Sequence, residues 1–246
     1  MATGISLHIG INKVSQQAYY PLKVPDLAAC ENDAIAMYAI AEKVGYQASV
    51  ILSEAATYQS VVAAIARSGS RLKSGDIFLL TYSGHGSQVF DKSGDESDRL
   101  DETWVLYNRQ ILDDELYELW SKFAAGVRIL VISDSCHSGT VARIGGGVKT
   151  RLNLVSKGIA EKSISPVVAS GILISGCQDR QVAWEVGKNG LFTSKLIEVW
   201  AEGNYKGTYR QFRNAIATRL PRSQSPNYFL FGTVNGKFTR QKPFSI

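Results

Sequence analysis

Residues 76–86 read Asp76-Ile-Phe-Leu-Leu-Thr-Tyr-Ser-Gly-His85-Gly86, and this stretch decides the fold. Its four apolar residues and the β-branched threonine after them predict a strand that is buried on both faces, as in parallel sheets. Polar and glycine residues then end the strand abruptly. His85 is therefore expected at the carboxyl end of a central strand.

A second stretch repeats this pattern further along the chain and carries a cysteine where the first carries a histidine. Residues 128–139 read Arg128-Ile-Leu-Val-Ile-Ser-Asp-Ser-Cys136-His-Ser-Gly139. In open α/β sheets, ligands bind outside the carboxyl ends of the strands. If the two strands are neighbours, an imidazole and a thiol meet at one cleft, which is the arrangement that a cysteine nucleophile needs.

The rest of the chain alternates between strand-like and helix-like segments. Strand-like runs occur at 6–12, 48–52, 103–107, 171–176 and 228–231, and helical periodicity occurs at about 27–44, 58–72, 191–202 and 208–220. Asp113 and Asp114 open one more helix before the cysteine strand. This order predicts an α/β sandwich of three layers, with a mostly parallel central sheet of about six strands flanked by helices.

The composition is that of a globular protein in a reducing compartment. The chain is 45% hydrophobic and 20% charged, and no apolar run approaches the length of a bilayer span. Its amino-terminal residues lack the basic and apolar regions of a signal peptide. Three cysteines, Cys30, Cys136 and Cys177, form neither a disulfide framework nor a zinc motif. We expect a cytoplasmic protein without a membrane partner.

Most of the positive charge, a formal net +5, lies in one segment. Residues 140–165 contain five basic residues and one acid, and Gly145-Gly-Gly lies among them without apolar periodicity. This composition predicts a mobile, solvated surface loop. The segment lacks the aromatic residues that would stack on bases, so nucleic acid is not an expected partner.

Four short motifs carry a resemblance to a known family. Cys30-Glu-Asn-Asp33-Ala, Ser83-Gly-His85-Gly86, Asp134-Ser-Cys136-His-Ser-Gly and Ser175-Gly-Cys-Gln-Asp179 resemble the signature blocks of the metacaspases, which are caspase-like cysteine peptidases. The resemblance spans nearly the whole chain and is greatest to the short prokaryotic members, the orthocaspases. It differs from true caspases, which have Gln-Ala where this chain has Asp134-Ser135.

The resemblance also implies how the chain is organised. It predicts a single caspase-like peptidase domain over residues 1–246. Within it, residues 1–142 correspond to a large subunit and residues 169–246 to a small subunit. Residues 143–168 form the flexible basic linker between them.

Cys136 and His85 are the candidate catalytic residues. A thiolate is strongly nucleophilic and needs only a neighbouring base to form. Imidazole accepts and returns protons well near neutral pH. Gly84 and Gly86 are expected to leave room around the imidazole ring. The resemblance implies that the backbone amides of Gly86 and Cys136 form the oxyanion hole.

The other histidines are expected to be structural. His137 follows the nucleophile directly, but successive residues at a strand end point apart. His8 lies inside the first predicted strand. A zinc site made by His85, Cys136, His137 and Asp134 is the alternative that these residue types leave open.

Two acidic residues near the motifs bear on which substrate residue is recognised. Asp134 precedes the cysteine by two residues and so shares its face of the strand, and Asp33 opens the first helix near Cys30. No cation lies near them in the sequence, so a substrate Arg or Lys would be their partner. The resemblance implies that Cys30, Asp33, Ser83 and Asp134 line the pocket for the residue before the scissile bond. The alternative is that both acids are structural: Asp33 interacts favourably with the helix dipole, and Asp134 is hydrogen-bonded to a turn.

Calcium is the one metal that the resemblance suggests. Many metacaspases bind activating calcium through scattered aspartates, and Asp101, Asp113 and Asp114 match three of them. The fourth expected acid is Arg143 here, which removes an oxygen ligand and adds a cation. The acidic stretch at 91–102 also lacks the glycine of an EF-hand loop. We therefore expect no cofactor and no calcium requirement.

These patterns together predict a cysteine endopeptidase that cleaves peptides and proteins after Arg or Lys. Lys149 and Arg151, in the exposed basic linker, are the residues after which the enzyme is expected to cut itself. Two alternatives stay open. One is a catalytically silent caspase-like scaffold that binds basic peptides, and the other is a thiol redox sensor with Cys177 as the resolving cysteine. The patterns indicate no oligomeric state.

Overall fold

The computed structural model describes most of the chain as one sheet with helices on its two faces. It describes residues 2–90, 100–137, 166–176, 185–186, 188–221 and 224–246. For 88–90, 100–102, 136–137 and 185–186 it describes the backbone alone. The basic linker predicted at 143–168 therefore lies outside the described residues up to residue 165.

Eight strands form the central sheet. They are β1 (Gly4–Gly10), β2 (Gln47–Leu52), β3 (Ile77–Phe90), β4 (Leu100–Val105), β5 (Gln110–Leu112), β6 (Arg128–His137), β7 (Ser170–Ser175) and β10 (Asn227–Gly232). Six of them lie side by side in the order β10-β7-β6-β3-β1-β2, and only β10 runs antiparallel to its neighbour in this row. A separate hairpin joins β8 (Glu185–Val186) to β9 (Asn189–Gly190). The predicted parallel sheet is thus confirmed.

Helices cover both faces of the sheet. They are α1 (Cys30–Val44), α2 (Tyr58–Arg71), α3 (Asp113–Trp120), α4 (Leu191–Trp200), α5 (Tyr209–Ala217) and α6 (Gly236–Arg240). Ile65 of α2 and Leu116 of α3 belong to the core on one face. Met37 of α1, Leu196 of α4 and Phe212 of α5 belong to the core on the other. This confirms the three-layer sandwich. No helix in the described ranges is both long and apolar enough to cross a membrane.

Residues of β3 alternate between the two cores. Phe78 and Leu80 belong to the core beneath α2 and α3. Ile77 and Leu79 belong to the core beneath α1, α4 and α5. Because positions two apart in a strand share a face, His85 continues the second series. The sheet therefore presents His85 on the face that carries α1 and α4.

The sheet also differs from expectation, because β3 is longer than the sequence predicts. It continues past His85 to Phe90, and Gly86–Phe90 pair antiparallel with β4. The prediction that polar and glycine residues end this strand is therefore wrong. β4 supplies hydrogen-bonding partners for the extended backbone, so glycine is tolerated inside it.

Candidate active site

His85 and Cys136 occupy paired positions on neighbouring strands. In the parallel pairing of β3 with β6, His85 lies opposite Cys136, and Ser83 lies opposite Asp134. Neighbouring strands are about 4.8 Å apart, and paired positions share a face of the sheet. The side chain of Cys136 lies outside the described residues, so the register gives its backbone position. That position is on the strand next to His85, as the two sequence runs predict.

A backbone carbonyl holds the buried imidazole of His85. The Nε2 atom lies 2.8 Å from the carbonyl oxygen of Pro25. A carbonyl can only accept, so Nε2 donates its proton in this bond and Nδ1 is left as the basic nitrogen. Burial lowers the pKa of His85, although the Pro25 bond and the charge of Asp26 act in the opposite direction. The ring is therefore neutral near pH 7 and able to accept a proton.

Tyr82 fixes the backbone of His85 from the other face of the sheet. Its hydroxyl donates a hydrogen bond to the carbonyl oxygen of His85 over 2.7 Å, and its ring stacks on Trp104 with centroids 4.4 Å apart. A β-carbon at Gly84 would lie 2.6 Å from the same hydroxyl. Gly84 therefore makes room for Tyr82, whereas the sequence pattern predicts that this room serves the imidazole.

Asp33 lies in the first turn of α1 and is buried. Its Oδ1 atom accepts hydrogen bonds from the side chain of Asn189 and from the backbone N–H of Gly190, each over 2.9 Å. Its Oδ2 atom accepts one from the hydroxyl of Ser83 over 2.8 Å. One carboxylate therefore connects α1, β3 and β9.

Asp134, on β6, caps the helix that follows the hairpin. Its Oδ2 atom accepts hydrogen bonds from the backbone N–H of Thr193 over 3.1 Å and from the Thr193 hydroxyl over 2.8 Å. Thr193 lies in the first turn of α4, whose N-cap residue, Gly190, has no side chain to accept these bonds. A carboxylate at a helix amino terminus also interacts favourably with the helix dipole. Asp134 therefore has a structural role besides its place two residues before Cys136 on β6.

The two carboxylates converge on Gly190 and share no described counterion. Their Oδ2 atoms lie 2.9 and 3.0 Å from the point where a β-carbon of residue 190 would lie. Burial, and after it the charge of Asp134, raises the pKa of Asp33 to about 7. Burial likewise raises the pKa of Asp134. Over the described part of the chain, no lysine or arginine forms an ion pair with either acid.

Cys30 is the first residue of α1, and Asn12 holds this end of the helix. The Asn12 Oδ1 atom accepts the backbone N–H of Cys30 over 2.9 Å and that of Glu31 over 3.2 Å. A β-carbon at Gly10 would lie 2.3 Å from the carbonyl oxygen of Cys30. The helix therefore starts directly against the end of β1, and this contact sets the position of Asp33 one turn later.

His8 is held inside the sheet. Its Nδ1 atom lies 2.9 Å from the Thr81 hydroxyl, and its Nε2 atom lies 2.9 Å from the Ser6 hydroxyl. Burial lowers the pKa of His8 to about 3. The residue is therefore a neutral structural histidine.

Several predicted residues lie outside the described part of the chain. These are Arg143, Lys149, Arg151 and Cys177, together with the side chains of Asp101, Cys136 and His137.

Two of the predicted calcium ligands begin α3. Asp113 and Asp114 are the first two residues of this helix, and Oδ1 of Asp113 accepts the N–H of Asp114 over 3.0 Å. Among the residues that are described, no group of three or more His, Cys, Asp or Glu is arranged to hold a metal ion.

Comparison with known proteins identifies the family to which this chain belongs. Residues 3–239 match the family Peptidase_C14, described as the caspase domain. The match spans nearly the whole chain, and the chain therefore belongs to this family. Caspase-1 of Spodoptera frugiperda shares the fold, with a TM-score of 0.63 at 10% identity over 94% of this chain and 86% of that one.

Within this family, the curated relatives of the chain include metacaspases. Metacaspase-1 of Schizosaccharomyces pombe is 35% identical over 149 residues, which is 54% of this chain and 33% of that protein. Metacaspase-4 of Arabidopsis thaliana is 32% identical over 53% of this chain and 32% of its own length. The chain thus matches about a third of the length of these relatives. The resemblance to metacaspases is confirmed.

A bacterial protein of known structure is similar over its full length. A Geobacter sulfurreducens protein matches with a TM-score of 0.83 and 42% identity, covering 99% of both chains. This agreement supports the topology described above from end to end.

Proposed function

We propose that this protein is a cysteine endopeptidase that hydrolyses peptide bonds after Arg or Lys through Cys136 and His85. The observation that carries the proposal is the register of β3 and β6, which pairs the two positions. Two carboxylates lie near this pair: the buried Asp33 on α1, and the half-buried Asp134 on β6, the strand that also carries Cys136.

The neutral His85 ring supports activation of the thiol. Because Pro25 accepts the Nε2 proton, Nδ1 has the free lone pair that takes the proton from Cys136. The resulting thiolate attacks the carbonyl carbon of the scissile bond. Negative charge then develops on the carbonyl oxygen. The resemblance implies that the backbone amides of Gly86 and Cys136 stabilise this charge.

Further proton transfers by His85 complete the cycle. The protonated His85 gives its proton to the departing amine, which leaves an acyl group on Cys136. His85 then takes a proton from water, the resulting hydroxide attacks the acyl carbon, and the thiol is regenerated when His85 returns the proton. The low pKa of the buried imidazole favours this return of the proton at each step.

Asp33 and Asp134 support the preference for a basic residue before the scissile bond. Besides burial, the charge of Asp134 raises the pKa of Asp33, and a guanidinium or ammonium group bound between the two carboxylates would offset that repulsion. A substrate Asp would add a third carboxylate, so peptides with Asp at this position are excluded.

The chemistry proposed here needs no metal or other cofactor. Calcium, which many similar proteins use, does not fit the residues of this chain. Asp113 and Asp114 begin α3, and the Asp113 carboxylate accepts the backbone N–H of Asp114, while Arg143 stands where a further ligand is expected. The thiol chemistry suits a reducing compartment, so the proposal includes a cytoplasmic location. It also includes self-cleavage after Lys149 or Arg151.

A panel of fluorogenic peptides tests the proposal. The peptides differ only at the residue before the scissile bond, which is Arg, Lys, Asp or Leu. Cleavage of the Arg or Lys peptides alone, absent in Cys136→Ala, would support the proposal. A protein that binds the Arg peptide without cleaving it would be the silent scaffold instead.

A further inference from the structure

Gly190 joins the hairpin to α4, and its backbone does not require glycine. It is the N-cap residue of α4, with φ of −60° and ψ of 152°. Any L-amino acid adopts these angles without strain. The glycine at this position therefore needs an explanation other than conformational freedom.

The space around Gly190 supplies that explanation. A β-carbon there would lie 2.9 Å from Oδ2 of Asp33 and 3.0 Å from Oδ2 of Asp134. Neither oxygen can move away freely, because Ser83 holds the first over 2.8 Å and Thr193 holds the second over 2.8 Å. A methyl group would thus stand between two fixed carboxylate oxygens.

We propose that Gly190 is a specificity-determining residue, and this inference rests on the proposed cleavage after Arg or Lys. Its missing side chain keeps the facing oxygens of Asp33 and Asp134 open to the cationic end of the substrate. Its backbone N–H meanwhile holds the other oxygen of Asp33 over 2.9 Å.

The distribution of hydrogen bonds over Asp33 shows why the facing oxygens matter. Each carboxylate oxygen has two lone-pair sites. Among the described residues, Oδ1 accepts from Asn189 and Gly190, whereas Oδ2 accepts from Ser83 alone. A guanidinium or ammonium donor would use the remaining site of Oδ2, which is the oxygen that a side chain at position 190 would cover. Such a side chain should weaken binding of the cation rather than the chemistry at Cys136.

The substitution Gly190→Ala tests this role, with Gly236→Ala as the matched control. Gly236 begins α6, and the nearest atom to a β-carbon there would be in the guanidinium group of Arg240, at 3.3 Å. The readouts are KM and kcat for Arg and Lys peptides, inhibition by the flat cation benzamidine, and the midpoint of thermal unfolding. One added or missing methyl group in a closely fitted pocket changes kcat/KM by about tenfold or more.

For Gly190→Ala we expect KM and the benzamidine inhibition constant to rise by at least about tenfold, with a smaller change in kcat. Gly236→Ala should match the wild type. Wild-type inhibition by benzamidine in a folded Gly190→Ala protein would overturn the inference and leave the proposed function standing. A wild-type enzyme that ignores Arg and Lys peptides would instead overturn the proposed function.

A second measurement uses the wild type and does not depend on the folding of the variant. The N–H of Gly190 is bonded to Asp33, so a cation that binds the carboxylates must alter its environment. We expect benzamidine to shift the amide signal of Gly190 in ¹⁵N-resolved NMR spectra. An unchanged signal at saturating benzamidine would overturn the inference.

Discussion

The Nε2 atom of His85 lies 2.8 Å from the carbonyl oxygen of Pro25, although the two residues are 60 positions apart in the chain. This single bond decides which nitrogen of the imidazole is basic. Pro25 lies in the connection between β1 and α1, the same connection in which Asn12 holds the start of α1. One loop therefore orients both the proposed base and the helix that carries Asp33.

The first prediction concerns the proposed dyad. Cys136→Ala and His85→Ala should each lower kcat by about a thousandfold or more, because groups that act as a unit lose activity together. Cys177→Ala serves as the matched thiol control and should keep wild-type activity. Peptide hydrolysis and thermal unfolding of the purified variants are the measurements. Turnover that survives in Cys136→Ala would rule out the assigned nucleophile.

The second prediction separates charge from capping at Asp134. Asp134→Ala should weaken transition-state binding of Arg peptides by about 2 kcal/mol, the scale of a lost charge-assisted hydrogen bond. It should also lower the unfolding midpoint, because α4 loses its cap. Thr193→Val removes a capping bond but keeps the carboxylate, so it should lower the midpoint while most of the Arg preference remains. Equal loss of Arg preference in both variants would contradict a direct role for the Asp134 charge.

The third prediction is a pH dependence of KM. Asp33 has a pKa raised to about 7, with burial as the larger cause and the charge of Asp134 as the second. Below this pH the carboxyl is protonated and neutral, so KM for Arg peptides should fall as the pH rises from 6 towards 8. An uncharged peptide analogue that still binds gives the control, because its inhibition constant should not follow this curve. A flat KM profile for Arg peptides would contradict the prediction.

A rise in pH that strengthens binding of Arg peptides should at the same time destabilise the folded protein. The folded protein holds a proton on Asp33 up to about pH 7, while the unfolded chain releases it near pH ~3.9, the ordinary pKa of an aspartate in water. The folded state therefore binds more protons between these values, and the free energy of unfolding should fall as the pH rises through this window. Urea unfolding at pH 5 and pH 8 measures the change. Asp33→Asn cannot titrate and should show a smaller pH dependence.

The sequence predicts the framework of this site because its central strands have an unusually clear pattern. Ile77 to Leu80 and Ile129 to Ile132 are buried on both faces, as consecutive apolar residues in parallel strands must be. The carboxylate Asp134 follows from alternation along the same strand. What the pattern could not give is the length of β3, because that depends on pairing with β4, which follows ten residues later.

Apart from Ser83, the residues that hold Asp33, Asp134 and His85 in place were beyond sequence reasoning for a different reason. Asn189 lies 156 positions from Asp33, and Thr193 lies 59 positions from Asp134. Pro25 and Gly190 act through backbone groups, which leave no side-chain signal. The available hint was the polar Thr193 at the start of an apolar helix, where such residues satisfy free N–H groups.

The fourth prediction is self-cleavage in the basic linker. Lys149 and Arg151 lie in a glycine-rich segment that carries the residues the pocket should accept. We expect the wild type to separate on a denaturing gel into two fragments that meet at residue 149 or 151, whereas Cys136→Ala stays whole. Mass spectrometry of the fragments identifies the bond. A Lys149→Gln and Arg151→Gln double variant should stay whole and still cleave peptides, and continued cutting at another residue would refute these two positions.

The last prediction concerns calcium and uses the charge at position 143. Calcium takes six to eight oxygen ligands, and its affinity follows the number of carboxylates. Arg143 replaces one expected carboxylate with a cation, so peptide cleavage should persist in excess EDTA and should not rise in millimolar calcium. Arg143→Asp restores the acid and removes the positive charge, and this variant should gain a response to calcium. Adding Asp113→Asn to Arg143→Asp should abolish that gain. The prediction fails if the wild-type enzyme is inactive in EDTA and regains activity in calcium, while the Asp113→Asn variant does not regain it. That result would show that the calcium site forms despite Arg143.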